Sequence, residues 1–511
     1  MSEKNQTWLI WLGLALLTVL LHIPFLEQPF DNDSGANAYH ARLIVRGEPL
    51  YGTHHPAHHL PGLYYVYAST FWLLGDALWT IKLVLIPWTI ATAYVLHRLG
   101  VLLFDKPVGL LAAFFYIILT AHIELFGSSG QTELFANLPR IAAFLVLMQL
   151  VLKNRPAWHF ALVGLLSAAA ILFKVIYLSP LALAGFVLLA TLWPARKSAQ
   201  AWRTMVGRAL WIGVGLVLGL LPAALYFYFV DLLPQLLMVF SLGSTYVNVI
   251  NSIPAIGEHT WLLFLLFPLL GLALNNAALL GGSLAGALLI MVNKTLRKTP
   301  ALYVVVWYGL AFVEASANRR FFLHYYLLLV PPLTLLAAWF LLKIYRDLKA
   351  LSYKTGPALI LGGLLALILA ISIQQNFAYY YHYLQYRLGA VTYQDFLLKG
   401  WPEEGPKLVQ VQNLADYIAQ RTTPADHIYY WSYHVQLYYL ADRRAPIEVI
   451  WPEYIEAYEG SRQRIFGPTT RYIVVDTDIN IPTPAWIYAR LDEDYELETT
   501  IDGQAIYRRR E

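Results

Sequence analysis

The feature that most constrains this chain is the recurrence of uninterrupted apolar runs near helical membrane-crossing length, such as residues 8–25 and 206–230. About 20 apolar residues in a helix cross about 30 Å of hydrocarbon. Repeated along one chain, such runs specify a polytopic helical membrane protein, because lipid offers a backbone amide no partner outside its own helix. A transmembrane β-barrel would instead show short alternating segments. Charge supports this: 13% of the 511 residues are charged, about half the share in a soluble globular chain. The first run lacks a small-residue cleavage site and precedes many others, so it reads as a retained helix rather than a signal peptide. The absence of cysteine excludes disulfides, thiolate metal sites and a cysteine nucleophile.

Sixteen of the 23 Lys and Arg in the first 375 residues fall in short clusters between apolar runs: Lys4; Arg98 and Lys106; Lys153 and Arg155; Arg196, Lys197, Arg203 and Arg208; Lys294, Arg297 and Lys298; Lys343, Arg346, Lys349 and Lys354. Such clusters mark the cytoplasmic side. Threading helices between them predicts crossings near 8–26, 77–99, 107–125, 133–152, 157–173, 176–193, 206–230, 261–292, 300–316, 322–343 and 357–375. An odd number puts the amino terminus inside and the carboxyl terminus outside. The stretch 261–292, broken at Gly271 and at Asn275 and Asn276, has room for an extra hairpin, as has the aromatic stretch 60–75. The range is therefore 11–13 crossings. Acidic residues, not used in the threading, sort independently. Glu3, Asp105 and Asp347 go inside, and the other ten of the first 375 residues (Glu27, Asp31, Asp33, Glu48, Asp76, Glu124, Glu133, Asp231, Glu258 and Glu314) go to the outer face. Carboxylates gathered there are costly unless they line a wet cavity. From residue 376 no run is long enough to span, and 19 of the chain's 32 acidic residues follow. The expected architecture is an α-helical polytopic domain over 1–375, with a small α/β domain over 376–511 on the outer face of the plasma membrane. In the tail, a helix is predicted over 406–421, strands over 427–431 and 471–476, and a strand pair around 494–508.

The first outer loop, 27–76, is too long for a plain connector and too aromatic for disorder. It carries Asp31 and Asp33 ahead of an amphipathic segment, 34–46, expected to lie along the interface. A carboxylate there can act as general base toward a hydroxyl or help hold a divalent cation, but Asp and Asn are also ordinary helix caps. His54, His55, His58 and His59 follow. Of these, His55, His58 and His59 are candidate metal ligands, although their spacing matches no defined zinc motif. The short second outer loop, 126–133, places Glu133 where a helix re-enters the membrane, with Thr132 as its expected cap. Seven basic residues oppose the positive-inside trend: Arg42, Arg46, Lys82, Arg140, Lys174, Arg319 and Arg320. Beside His324 and Tyr325, such cations can grip a phosphate; the alternatives are pairing with the outer carboxylates and snorkelling.

These residues resemble the multi-spanning glycosyltransferases of the GT-C fold, in the bacterial branch related to protein O-mannosyltransferases and the lipid A aminoarabinose transferase. The resemblance lies in Asp33-Ser34-Gly35, Tyr39, Ala41, Gly47-Glu48-Pro49-Leu50-Tyr51 and Pro61-Gly62-Leu63-Tyr64-Tyr65. It continues at Thr132-Glu133, at Lys174, from Arg320 to Tyr325 with Pro331-Pro332, and in the stretch ADYIAQRTTPADHIYYW. It departs in the extra residue between Pro49 and Tyr51, and in His59-Leu60 standing where the family has a basic residue and a first proline.

The resemblance implies inverting transfer of a sugar from a polyprenyl-phosphate donor, a membrane lipid, to a glycan, lipid or protein acceptor on the outer face. Asp33 would be the general base with Asp31 secondary, Glu133 would orient acceptor or donor, and Lys174, Arg319, Arg320, His324, Tyr325 and His59 would hold the lipid phosphate. No cofactor is required, a divalent metal is allowed, and no nucleic-acid partner is expected. The competing expectation is a transporter or flippase for a lipid-linked or anionic solute, but that class shows midplane charges and repeated halves. This sequence shows neither.

Overall fold

In a computed structural model, residues 3–251, 260–317, 320–351, 355–476 and 483–510 are described. They gather into two compact units, Met1–Phe25 with Lys82–Tyr226 and Ile253–Phe377, and Leu26–Ile81 with Phe227–Ser252 and Ala378–Glu511.

The first unit is helical. Each predicted crossing coincides with a helix: Glu3–His22, Thr80–Leu103, Lys106–Thr120, Thr132–Leu152, Ala161–Ile171, Ser179–Leu192, Ala199–Phe229, Thr260–Val292, Ala301–Ser316, Val330–Ala350 and Gly356–Arg387. Five contain spans long and apolar enough to cross a bilayer unaided: Asn5–Phe25, Thr80–Leu103, Thr132–Leu152, Ala199–Phe229 and Gly356–Gln374. On the first helix, Trp8, Leu12, Leu16 and Leu20 are all exposed, every fourth residue. A row of large apolar side chains on one helical face is stable against lipid and not against water. The molecule is a multi-pass membrane protein.

The break expected within 261–292 is a kink rather than a hairpin. Asn276 leaves helical geometry; its side chain accepts from the Leu279 N–H and donates to Ser372 Oγ at 3.0 Å, so the freed backbone keeps partners. The crossing expected from 322 opens with a 3-10 segment, Leu323–Leu328, and becomes α-helical at Val330. Pro331 and Pro332 sit in the first turn, where a missing N–H costs nothing.

The second unit holds a four-stranded sheet. Strands β1 (His427–Trp431), β2 (Thr470–Asp476), β3 (Tyr495–Ile501) and β4 (Gln504–Arg509) lie in the order β1-β2-β4-β3. β1 and β2 are parallel, and β4 is antiparallel to both its neighbours. Asp502 and Gly503, with φ of +48° and +82°, form the tight turn between β3 and β4, a left-handed geometry that an Asp-Gly pair adopts readily. Alternating residues Tyr429, Trp431, Ile473 and Val475 bury one sheet face with Ile487 and Leu491 of the helix Ala485–Asp494. The predicted helix is Gly405–Arg421.

Helices of this unit also depart from expectation. Leu233–Asn251, not predicted, brings Met238, Leu242 and Tyr246 into the same core. The aromatic stretch 60–75 forms one helix, Gly62–Leu74. Its 13 residues rise about 20 Å, too short to cross or to fold back as a spanning hairpin.

Candidate active site

The helix that carries the acidic pair of the first loop is Asn32–Val45. It is not an interfacial helix with one lipid-facing side, because Ser34 through Ala41 are all buried. Asp31 is its N-cap: the carboxylate accepts from the Ser34 N–H at 3.0 Å and from Ser34 Oγ at 2.9 Å. Asp33, in the first turn, is part-exposed. The pair is thus divided, one carboxylate committed to the helix start and the other presented at it.

Tyr64 and Tyr67 of the helix Gly62–Leu74 face this site. Burial, reinforced by the negative charge of Asp33, holds the Tyr64 hydroxyl well above its ordinary value, so it stays protonated. Tyr67 hydrogen-bonds with Ser34 and Asn37. Tyr64 Oη lies 3.0 Å from His59 Nδ1, while Tyr51 Oη donates to the His59 carbonyl at 2.8 Å. Behind them, His40 and His54 stack with Nδ1 atoms 2.9 Å apart, so one imidazole donates and the other accepts. Burial pushes His54 down to about 3 and His55 to about 4, keeping both neutral.

His55, His58 and His59 do not fit the metal site expected of them. His55 Nε2 donates to the Gln235 carbonyl at 2.9 Å, His58 Nδ1 pairs with Tyr454 Oη at 2.6 Å, and His59 Nδ1 with Tyr64. One nitrogen of each thus serves a different partner. Among the described residues no three His, Asp or Glu side chains group as metal ligands.

In the helical unit, Glu133 stands in the first turn of Thr132–Leu152, whose cap position is Gln131 rather than Thr132. Its Oε1 accepts from Tyr177 Oη at 2.8 Å and lies 3.9 Å from Lys174 Nζ. The Lys174 ammonium sits 4.4 Å from the centre of the Tyr325 ring, and His324 packs edge-on to that ring. Glu133, Lys174, His324 and Tyr325 are all buried. The structure therefore gathers these four predicted residues around one ammonium. Arg320 lies just ahead of this 3-10 segment, and Arg319 lies outside the described residues. Tyr177 escaped sequence reasoning, though its position three residues after Lys174 was the available signal.

Besides Lys174, which lies by Glu133, three more of the seven exceptional cations pair with carboxylates among the described residues. Arg42 binds Asp76 and Asp442, and Arg46 shares Asp442. Arg140, wholly buried, binds Glu314 and donates to Ser179 Oγ and Asn137 Oδ1.

No protein-family profile and no curated protein matches the chain by sequence. Solved structures do. The ArnT of Cupriavidus metallidurans, bound to undecaprenyl phosphate, superposes with a TM-score of 0.61 over 99% of this chain and 98% of its own, at 14% identity. The chain has the GT-C fold. The oligosaccharyltransferase of Archaeoglobus fulgidus, in complex with Zn and sulfate, matches this GT-C chain at a TM-score of 0.58 and 13% identity, over 91% of this chain and 68% of that one. The oligosaccharyltransferase AglB from the same archaeon, in complex with an inhibitory peptide and a dolichol-phosphate, matches at 0.50 and 13%, over 93% and 70%. The GT-C fold expected from the sequence is thereby borne out over nearly the full length.

Proposed function

We propose that this protein is an inverting glycosyltransferase that moves a sugar from a polyprenyl-phosphate donor to a hydroxyl acceptor. The observation that carries the proposal is the division of labour between Asp31 and Asp33, which leaves one part-exposed carboxylate at a helix start. In the proposed step Asp33 takes the acceptor proton as the acceptor oxygen bonds to the anomeric carbon. The bond from that carbon to the phosphate oxygen breaks on the opposite face, and the lipid phosphate leaves with the electron pair. Lys174, Arg320 and His324 meet the charge that develops on it. The solved relatives support this choice of leaving group, since one was captured with undecaprenyl phosphate and another with a dolichol-phosphate.

The donor half of the proposal is tested with undecaprenyl phosphate itself, titrated against the full-length protein in lipid nanodiscs. Lys174→Ala and Arg320→Ala should each weaken binding about ten- to a hundredfold, as loss of a charge-assisted contact of about 1.5 to 3 kcal/mol requires. Unchanged affinity in both variants would remove these cations from the phosphate site.

We also place the tail, residues 376–511, outside, because the sixteen cytoplasmic cations force an odd number of crossings. A reporter active only in the cytoplasm, fused after Arg510, should be silent. A fluorescent or enzymatically active fusion would reverse the topology.

A further inference from the structure

The helix Asn32–Val45 turns one face to Tyr64 and Tyr67 and the opposite face to a segment about 400 residues away in sequence. At about 100° per residue, Gly35, Tyr39, Arg42 and Arg46 share a stripe, whereas Asp33 lies about 200° from Gly35, on the far side with Asn37 and His40. The Gly35 stripe is seated at three levels. A Cβ on Gly35 would fall 2.2 Å from Gln436 Cβ and 2.7 Å from Gln436 Cα, so the helix backbone touches the short helix Gln436–Leu440 directly. Tyr39 packs on Tyr438 at 5.5 Å, and its hydroxyl accepts from the Ala445 N–H at 3.2 Å. The Arg42 guanidinium lies 3.8 Å from the centre of the Tyr439 ring and donates to the Tyr439 carbonyl at 2.6 Å, while Arg42 and Arg46 both bind Asp442.

We infer that residues 436–445 form a backing plate that sets where Asp33 stands, and that Gly35 is a positioning residue for it. The inference rests on the proposed role of Asp33. Any side chain at Gly35 must push the helix away from Gln436, toward the face that carries Asp33. A displacement near 1 Å at a reacting group costs about a hundredfold in rate. The clamp places a rate-determining contact in the soluble tail, remote from the chemistry in sequence.

The test uses full-length protein in nanodiscs, membranes from cells lacking the gene as acceptor source, and a panel of labelled undecaprenyl-phosphate hexoses and pentoses as donors. Gly35→Ala should lower kcat about a hundredfold with the donor KM within about twofold. Adding Gln436→Gly, which removes the clashing Cβ but not the Cα, should restore part of that loss. Equal kcat in Gly35→Ala and wild type, with Asp33→Asn inactive, would overturn the backing plate and leave the transferase standing. Normal transfer by Asp33→Asn would overturn the transferase reading first. If Gly35→Ala does not accumulate, Tyr39→Phe, which only deletes the bond to Ala445, should lower kcat severalfold at unchanged donor KM. An unaltered kcat there would equally overturn the clamp.

Discussion

Asp33→Asn is expected to insert, fold and bind undecaprenyl phosphate like the wild type, yet to transfer sugar at about 10²- to 10⁴-fold lower rate, the usual cost of removing a positioned base. The helix start does not confound the result, because the cap is Asp31, whose carboxylate holds the Ser34 N–H and hydroxyl. Asp31→Asn keeps an acceptor for that N–H and should retain most of the rate. Initial rates with labelled donor, beside an equilibrium titration with undecaprenyl phosphate, separate chemistry from binding. If Asp31→Asn is the inactive variant and Asp33→Asn transfers normally, the roles of the two carboxylates are exchanged.

Arg140→Met is expected to be the most destabilising single change in the helical unit. Arg140 and Glu314 form an ion pair buried on both sides, and Arg140 also binds Ser179 Oγ and Asn137, which in turn donates to the Leu327 carbonyl. Glu314 does a second job, since its other oxygen accepts the Ser179 N–H at 2.7 Å and so caps the helix Ser179–Leu192. Removing the arginine leaves a buried carboxylate without its counter-charge, a loss of about 3 to 5 kcal/mol. Arg140→Met combined with Glu314→Gln keeps an acceptor for Ser179 and removes the orphan charge, so it should recover much of the stability. Thermal unfolding in detergent reads both. A single variant as stable as the wild type would show that the pair contributes nothing.

Much of this architecture was legible because hydrophobic period and length are local properties. Each predicted crossing overlaps a helix, although several bounds differ by two turns or more, and the strands at His427–Trp431 and Thr470–Asp476 emerged almost at their predicted bounds. Leu233–Asn251 was not legible, because Ser241, Gly243, Ser244, Thr245 and Asn248 interrupt its apolar run and its helical face is defined only by the core it meets. The segment 34–46 read as amphipathic for the opposite reason. Its polar residues Ser34, Asn37 and His40 are buried against partners from other elements, which no periodicity can announce. In the candidate site, residue types marked the candidate groups but not their partners. Asp31 and Asp33 look alike in Asp31-Asn32-Asp33 until the Ser34 N–H is seen to choose Asp31 as its cap. Partners far apart in sequence, Arg140 with Glu314 and Gly35 with Gln436, leave no signal in one chain read alone.

The transfer itself is tested most directly by mass analysis of envelope glycans, glycolipids and glycoproteins. Cells lacking the gene are compared with the same cells carrying wild-type protein or Asp33→Asn at matched membrane levels. The expected result is one class of molecule heavier by a single sugar residue with the wild type, that increment missing with Asp33→Asn, and an inverted anomeric linkage relative to the donor. An increment restored equally by Asp33→Asn, or envelopes identical in mass with and without the protein, would contradict it.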